Sequence, residues 1–427
     1  MKVLIVSFRF APFNSIGANR INALAEFFRE NNIEYKIITA YVGNHHQKDF
    51  IVDENVHYVS WFDFRSFRKI SKNKYIEKKT TKISLPKKQG KKGMLFSFIK
   101  RIALLLLYPD SYIHWVKGAK KKGKEVVQKF QPDIIYSSSY PYSSHLVARY
   151  LSVKYKIKWF AELRDPWVDN HVKKNDGFFM NLLEKKYSKK VLKKATRIVT
   201  VSNIWKESFE KLYRVKGIVI RNGYVLKDSD VSVTENEILD RVKASKRKKI
   251  VYTGSIFPKN QGIDTFLEVF VKNEKMLENF DFIYVGGQAK YVNEKLRELN
   301  APKDNFIIIN LVPYLLALEI QKNADYLLLF NWKSNKINTK GVIPGKVYEY
   351  LGSNIPVILW NEYVDNELVF LSKKINFKDK KVIQIDTGES LFEEINAFKF
   401  SKEMRTVEEY SRKRQFEKLV SEIKENV

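Results

Sequence analysis

The chain opens MKVLIVSFRFAPFNSIGANR, residues 1–20. Val3 to Phe8 is an apolar run of strand length. Arg9 to Gly17 is a loop, and Ala18 begins a helix with Ile21, Leu24, Ala25 and Phe28 on one face. The run is too short for the apolar core of a signal peptide, and Arg9 interrupts it with no small-residue cleavage site. It reads as a buried first strand leading through a glycine loop into a helix, the opening unit of a doubly wound α/β fold.

The same alternation continues. Tyr35–Tyr41, Val56–Phe62, Ile134–Ser137, Trp159–Leu163 and Ile198–Val201 read as further strands. A second series starts at Ile218–Ile220 and runs through Ile250–Thr253, Phe282–Val285, Phe306–Ile309, Tyr326–Phe330 and Pro356–Trp360. Short apolar strands separated by helical patterns belong to parallel sheets covered on both faces. The strands are too many for one comfortable sheet, so two doubly wound Rossmann-like domains are expected. The expected division is 1–215, 216–400 and a charged C-terminal helix in 401–427. On that helix Tyr410, Phe416, Leu419 and Ile423 lie roughly on one side. Asp228 to Lys249 is polar and reads as a loop or helix on the way into the second domain.

The 427 residues carry 77 Lys and Arg against 48 Asp and Glu, a net charge of +29. At 44% hydrophobic the chain can build sizeable cores, which excludes general disorder. It has no Cys, so disulfides and thiolate nucleophiles or metal ligands are excluded, and a reducing compartment is compatible. The basic excess is concentrated: Arg65 to Lys124 holds 19 Lys and Arg against Glu77 and Asp110. Phe96 and Phe98 lie inside that segment, beside Lys87, Lys88, Lys91, Lys92, Lys100 and Arg101. An apolar patch among cations suits an anionic bilayer surface. The plain alternative is a lysine-biased composition around one core helix. No zinc-finger spacing, basic heptad or RNP signature accompanies the charge, so nucleic acid is not expected. No stretch is long and apolar enough to span a membrane, the nearest, Met94 to Tyr108, being split by Lys100 and Arg101. The expectation is a soluble or peripheral protein.

Two segments carry candidate chemistry. Gly17 would let a phosphate approach the backbone where the helix N–H groups point outward, or is a simple turn glycine. A dinucleotide fingerprint needs three spaced glycines and an acid after the second strand. Neither is present, so a nicotinamide or flavin enzyme is rejected. The second segment is Gly341-Val-Ile-Pro-Gly-Lys-Val-Tyr-Glu-Tyr350. Pro344 and Gly345 make a turn, Lys346 sits in a first helical turn, and Glu349 follows on the same face. A cation for a diphosphate and a carboxylate for ribose hydroxyls would project together, although a surface Lys–Glu pair would look the same. His114 and His145 are possible acid/base groups or structural histidines, and His145 follows a strand and either faces the cleft or caps a helix. Asp228-Ser-Asp230 has the DxD spacing of metal sites but lies in a polar loop, and no metal is expected.

Taken in order, these pieces resemble the retaining glycosyltransferases of family 4, which have the two-domain GT-B fold. The pieces are the loop at Gly17, Glu162-Leu-Arg-Asp-Pro-Trp167, Val201-Ser202, Arg221-Asn-Gly223, Tyr252-Thr-Gly254, Pro344 to Tyr350 and Ile355-Pro356. The resemblance covers nearly the whole chain and implies two domains facing a central cleft. It implies that Gly17 lies against the donor diphosphate or the transferred sugar, and that Gly254 and Ser255 line the cleft opposite. Lys346 would neutralise the diphosphate and Glu349 would bond the ribose. Arg164 and Asp165 stand where many relatives carry a His-Asp pair beside the reacting sugar. Three departures stand out. Gly341 replaces the first glutamate of the family's pair, Ser255 an arginine and Gln261 a lysine. The Gln-Gly and Pro-x-Lys-x-x-Glu forms are similar to capsule and O-antigen transferases.

The resemblance therefore implies transfer of a sugar from a nucleotide-diphosphate sugar, UDP-type, to a lipid-linked glycan acceptor with retention of configuration. It implies no cofactor and no metal, and a place on the inner face of the plasma membrane. Two rivals stay open: a GT-B sugar-nucleotide epimerase using the same diphosphate site, and a non-catalytic membrane-surface binding protein on the same fold.

Overall fold

The structure, a computed structural model, describes residues 1–13, 15–41, 53–61, 108–168, 170, 178–224, 236–258, 260–332, 337–361, 366–379, 382–385, 391–398 and 407–426. Lys87, Lys88, Lys91, Lys92, Phe96, Phe98, Lys100, Arg101, Asp228 and Asp230 lie outside the described residues. The chain divides into two compact units. One holds Met1–Thr200, Ser208–Ile218 and Ile423–Val427, the other Val201–Glu207 and Val219–Glu422.

The first unit is built on β1 (Lys2–Ser7), β2 (Glu34–Ala40), β3 (Val56–Val59), β4 (Ile134–Ser139), β5 (Lys158–Leu163), β6 (Arg197–Thr200) and β7 (Gly217–Val219). They form one sheet in the order β3-β2-β1-β4-β5-β6-β7. The ladders from β3 through β6 are parallel. Its helices are α1 (Ile16–Glu30), α2 (Trp115–Phe130), α3 (Ser143–Tyr155), α4 (Phe178–Leu192) and, shared by sequence with the other unit, α5 (Asn203–Tyr213). Strands β1 and β4 are buried almost throughout, as a central parallel strand must be. Ser15 caps α1, its Oγ accepting the Ala18 amide at 3.3 Å.

The second unit has β8 (Lys248–Thr253), β9 (Phe280–Val285), β10 (Phe306–Ile309), β11 (Tyr326–Phe330), β12 (Val357–Trp360) and β13 (Val382–Ile385). Their order is β10-β9-β8-β11-β12-β13, with every ladder parallel. Two apolar cores flank this sheet, one around Val251, Leu327 and Leu359, the other around Phe266, Phe282 and Phe330. Alternate residues of β8, β9 and β11 feed opposite cores, which is the two-residue period of a strand. The helices used below are α6 (Ile263–Lys272), α7 (Ala289–Glu298), α8 (Tyr314–Lys322), α9 (Lys346–Leu351), α10 (Glu367–Asp379) and α11 (Arg412–Lys424).

Three details differ from the expectation. Residues 217–219 do not begin a second sheet but close the first as its seventh strand. The short apolar run says only that a strand forms, and sheet membership is a long-range pairing. Strand β13 was not anticipated, because only four residues, flanked by Asp379, Lys380 and Lys381, carry its pattern. In the expected C-terminal helix, Tyr410 sits in a 3-10 turn and the helix proper starts at Arg412. Phe416, Leu419 and Ile423 are buried as the helical spacing requires.

Candidate functional site

In each sheet the strand order turns back on itself once, between β1 and β4 in the first unit and between β8 and β11 in the second. At such switch points adjacent loops diverge and leave a crevice beyond the carboxyl ends of the strands. Gly17 follows β1 and Gly254 follows β8, beside these two places.

In the first unit β5 ends at Leu163, so Arg164 and Asp165 leave the sheet edge directly. The Arg164 guanidinium donates to the Ser139 carbonyl from Nη2 at 2.8 Å and from Nε at 3.1 Å. It lies against Gly17, where a Cβ would stand 2.6 Å from Nη2. The glycine is needed because an arginine occupies the space beside the start of α1. Gly17 and Arg164 are thus brought together within the first unit, with Arg164 still 14% exposed. Asp165 is half-buried beside them.

Below this lies a charged hub that sequence reading missed. Glu162 is fully buried and accepts from Arg20 Nε at 2.8 Å, from the Tyr136 hydroxyl at 2.6 Å and from Ser138 Oγ at 2.6 Å. Arg164 Nε stands 4.0 Å from its other oxygen. Burial alone would raise the Glu162 pKa. Arg20 and Arg164, with the two hydroxyl donors, more than offset this and hold it below the usual carboxylate range. The available signal was an acid inside the strand Trp159-Phe-Ala-Glu-Leu163, where a buried position tolerates a carboxylate only if it is paired.

His145 does not face a cleft. It is fully buried on α3, with Nδ1 2.8 Å from Ser137 Oγ and its ring near Trp159 and Trp167. Burial drives its pKa down to about 3. A neutral imidazole sealed in an aromatic core has no path for a proton, so the catalytic assignment is withdrawn. His114 sits at the start of α2 without a side-chain cap.

In the second unit β8 ends at Thr253, and Gly254 follows with φ +119°. That left-handed backbone favours glycine, and the space reinforces it, because a Cβ there would stand 2.6 Å from Lys346 Nζ. The Lys346 stem therefore lies on the bare Cα of Gly254. Its ammonium reaches Thr253 Oγ1 at 3.4 Å, while that hydroxyl also accepts from Gln321 of α8 at 2.8 Å. No ion pair to Lys346 occurs among the described residues. Burial lowers its pKa, and the nearby Glu349 charge offsets this only in part. Lys346 is thus a partly buried cation held by Gly254 and Thr253 without an ion pair among the described residues. Beside it the Gly254 amide donates to Val285 and its carbonyl accepts from the Tyr284 hydroxyl at 3.0 Å. Gly345 has nothing within 4 Å of its Cβ position, so a ligand can approach its backbone. Pro344 and Glu349 are half-buried and Ser255 is exposed.

Two departures from the family pattern acquire a physical form. Gly341 is buried against Trp205, whose Cδ1 and Nε1 would lie 2.3 Å from a Cβ. An indole fills the space of the absent glutamate. Gln261 is buried, and its Oε1 accepts the Phe257 amide at 2.9 Å. Its carbonyl pins the turn after Ser255, so it does not replace a lysine charge.

The Arg221-Asn-Gly223 segment is also structural. Arg221 makes a 2.6 Å ion pair with buried Glu367 of α10 and donates to the Val201 carbonyl. Glu367 accepts in addition from Asn203 and from the Ile204 amide. Gly223, with φ +67°, allows the Arg412 backbone to approach.

Comparison with known proteins supplies three findings. Residues 91–227 match the description Glycosyltransferase Family 4. No curated protein sequence matches the chain significantly. Among solved structures, a glycosyltransferase from Rickettsia africae is 15% identical with a TM-score of 0.59, over 99% of this chain and 97% of that one. Alr3699/HepE of Anabaena, solved in complex with UDP, is 11% identical with a TM-score of 0.57 over the whole of both chains. A putative UDP-N-acetylglucosamine 2-epimerase from Listeria monocytogenes is 11% identical with a TM-score of 0.51, over 100% of this chain and 96% of that one. At such identities the likeness concerns the fold. It is GT-B, two Rossmann-like α/β domains with parallel sheets.

Proposed function

We propose that the chain is a glycosyltransferase that moves a sugar from a nucleotide-diphosphate sugar onto an acceptor. The observation that carries the reading is the Lys346–Gly254 contact at the switch point of the second sheet, an ammonium without an ion pair among the described residues, with the open backbone of Gly345 next to it. The match of residues 91–227 to Glycosyltransferase Family 4 supports it, since that stretch contains Glu162 to Trp167 and Arg221 to Gly223. So does the UDP bound by the Anabaena neighbour.

In this reading the leaving group is a nucleoside diphosphate, with UDP the preferred form. As the anomeric C–O bond breaks, negative charge grows on the diphosphate and positive charge on the anomeric carbon. Lys346 answers the first, most effectively because it is already in place and partly desolvated. Gly345 admits the phosphate oxygens to its backbone, Gly254 gives the Lys346 stem its place, and Glu349 takes the ribose hydroxyls. Arg164 and Asp165 serve the reacting sugar beside Gly17. The acceptor hydroxyl attacks from the leaving-group side, so configuration is retained, and the charge role assigned to Lys346 requires no metal. The acceptor is a lipid-linked glycan of cell-surface polysaccharide synthesis, of the capsule or O-antigen kind, and the enzyme works peripherally on the inner face of the plasma membrane. The basic composition supports that location. Among the described residues no helix is long and apolar enough to cross a membrane.

The test is a panel of nucleotide sugars screened by thermal shift, followed by a turnover assay with each binder. A sugar nucleotide that stabilises the protein and is consumed only with a glycan acceptor supports transfer. Epimerised donor without acceptor assigns the second enzyme reading, and binding without any turnover the non-catalytic one.

A further inference from the structure

Away from both switch points, the first unit carries a hollow of about 410 Å³ on its helical face, between α2, α3 and α4. Four cations line it: Lys120 from α2, Arg149 and Lys154 from α3, and Lys190 from α4. Among the described residues no acidic side chain lines it. Arg149 Nε is buried and has no hydrogen-bond partner among the described residues. A buried guanidinium N–H without an acceptor is costly, and it is the kind of donor a ligand oxygen would satisfy.

The aromatic residues in the hollow add organisation. Lys120 Nζ stands 4.9 Å from the Tyr150 ring centroid, and Tyr187 closes another side. Burial, together with the Arg149 charge, lowers the Lys120 pKa even though Tyr150 opposes it. Lys120 and Arg149 therefore repel one another across the hollow. Leu146, Val153 and Val191 form an apolar strip in the same lining, with Val153 54% exposed. Converging cations beside an apolar strip match a ligand with a concentrated anionic head and a hydrocarbon continuation.

We propose that this hollow binds the phosphate head of an anionic lipid, with Arg149, Lys120, Lys154 and Lys190 around the phosphate and Leu146, Val153 and Val191 along the first carbons of the tail. The inference goes beyond the sugar-transfer reading and needs no donor site to be true. It also differs from the basic segment around Lys87 to Arg101, since every residue it uses is described and lies on three packed helices.

The test measures binding of the full chain to vesicles of phosphatidylcholine containing phosphatidylglycerol, against phosphatidylcholine alone, at near-physiological salt. Lys154 and Lys190 are exposed, so Lys154→Gln/Lys190→Gln should fold normally. A control pair, Lys272→Gln/Lys290→Gln, removes the same charge from exposed sites on the second unit. The expected result is a loss of about thirtyfold for the hollow variant, the worth of two cations near an anionic surface, with little change for the control. Equal losses in both variants, or no loss in either, overturn the proposal. Glycerol phosphate is titrated in parallel. If it binds the wild type but not the hollow variant while vesicle affinity is unchanged, the phosphate chemistry stands and the lipid source is overturned.

Discussion

Replacing Lys346 by Met separates a binding role from a structural one, because the two move stability in opposite directions. The stem of Lys346 covers the Gly254 Cα, and Met keeps most of that apolar contact. The ammonium, by contrast, has one long contact to Thr253 and no ion pair among the described residues. Its pKa lies below 10.5 because burial disfavours the charge. Between that lowered value and the unfolded one, the unfolded chain holds more protons, so wild-type stability rises with pH. The variant should lack this rise and be at least as stable as the wild type near neutral pH. With UDP the order reverses. One lost charge-assisted hydrogen bond to phosphate is worth about 1.5–3 kcal/mol, roughly a ten- to 150-fold loss of affinity. Isothermal titration with UDP, thermal unfolding across alkaline pH and a Lys290→Met control give the needed comparison, since the Lys290 side chain is 89% exposed. A variant that binds UDP within twofold of the control (about 0.4 kcal/mol) would refute the placement of a diphosphate at Lys346.

Placing a glutamate at this position, Gly341→Glu, should lower stability by about 1–3 kcal/mol from overpacking alone, because Trp205 occupies the space. Thermal unfolding with tryptophan fluorescence checks it, and an unchanged melting point would mean the indole is not held there. His145→Asn should leave the activity profile around neutral pH untouched. The wild-type His has a folded pKa of about 3 against 6.5, so stability is lost as pH falls from 6.5 towards 3, a slope the variant should lack in acid titrations of unfolding. Glu162→Gln leaves Arg20 buried without its counter-charge and should cost roughly 3–5 kcal/mol in urea unfolding. The Glu162 contribution is present above the ordinary carboxylate range and disappears as pH falls through its lowered value, so the gap between wild type and variant should close in acid.

The α/β class and nearly all strands were legible because a buried parallel strand must be almost wholly apolar, and runs such as Phe306–Ile309 and Tyr326–Phe330 admit no other use. Pro344, Gly345, Lys346 and Glu349 stood out for a similar local reason, turn chemistry next to a helix start. His145 misled because its position after a strand is the same whether the ring points out or into the core. The Glu162 residue was visible, but its partners Arg20, Tyr136 and Ser138 come from α1 and β4.

What the sequence determined by itself was periodicity and punctuation, which depend on neighbours a few residues apart: the alternation of strands and helices, the glycine turns and the absence of cysteine chemistry. Tertiary structure decided which charges are paired and which are left without an ion pair among the described residues. Glu162 is held by Arg20, Tyr136 and Ser138, 24 to 142 residues away, as well as by its neighbour Arg164, whereas Lys346, 93 residues from Thr253, rests on a glycine with no ion pair among the described residues. Electrostatic free energy depends on distance through space and on burial, and neither follows from spacing along the chain.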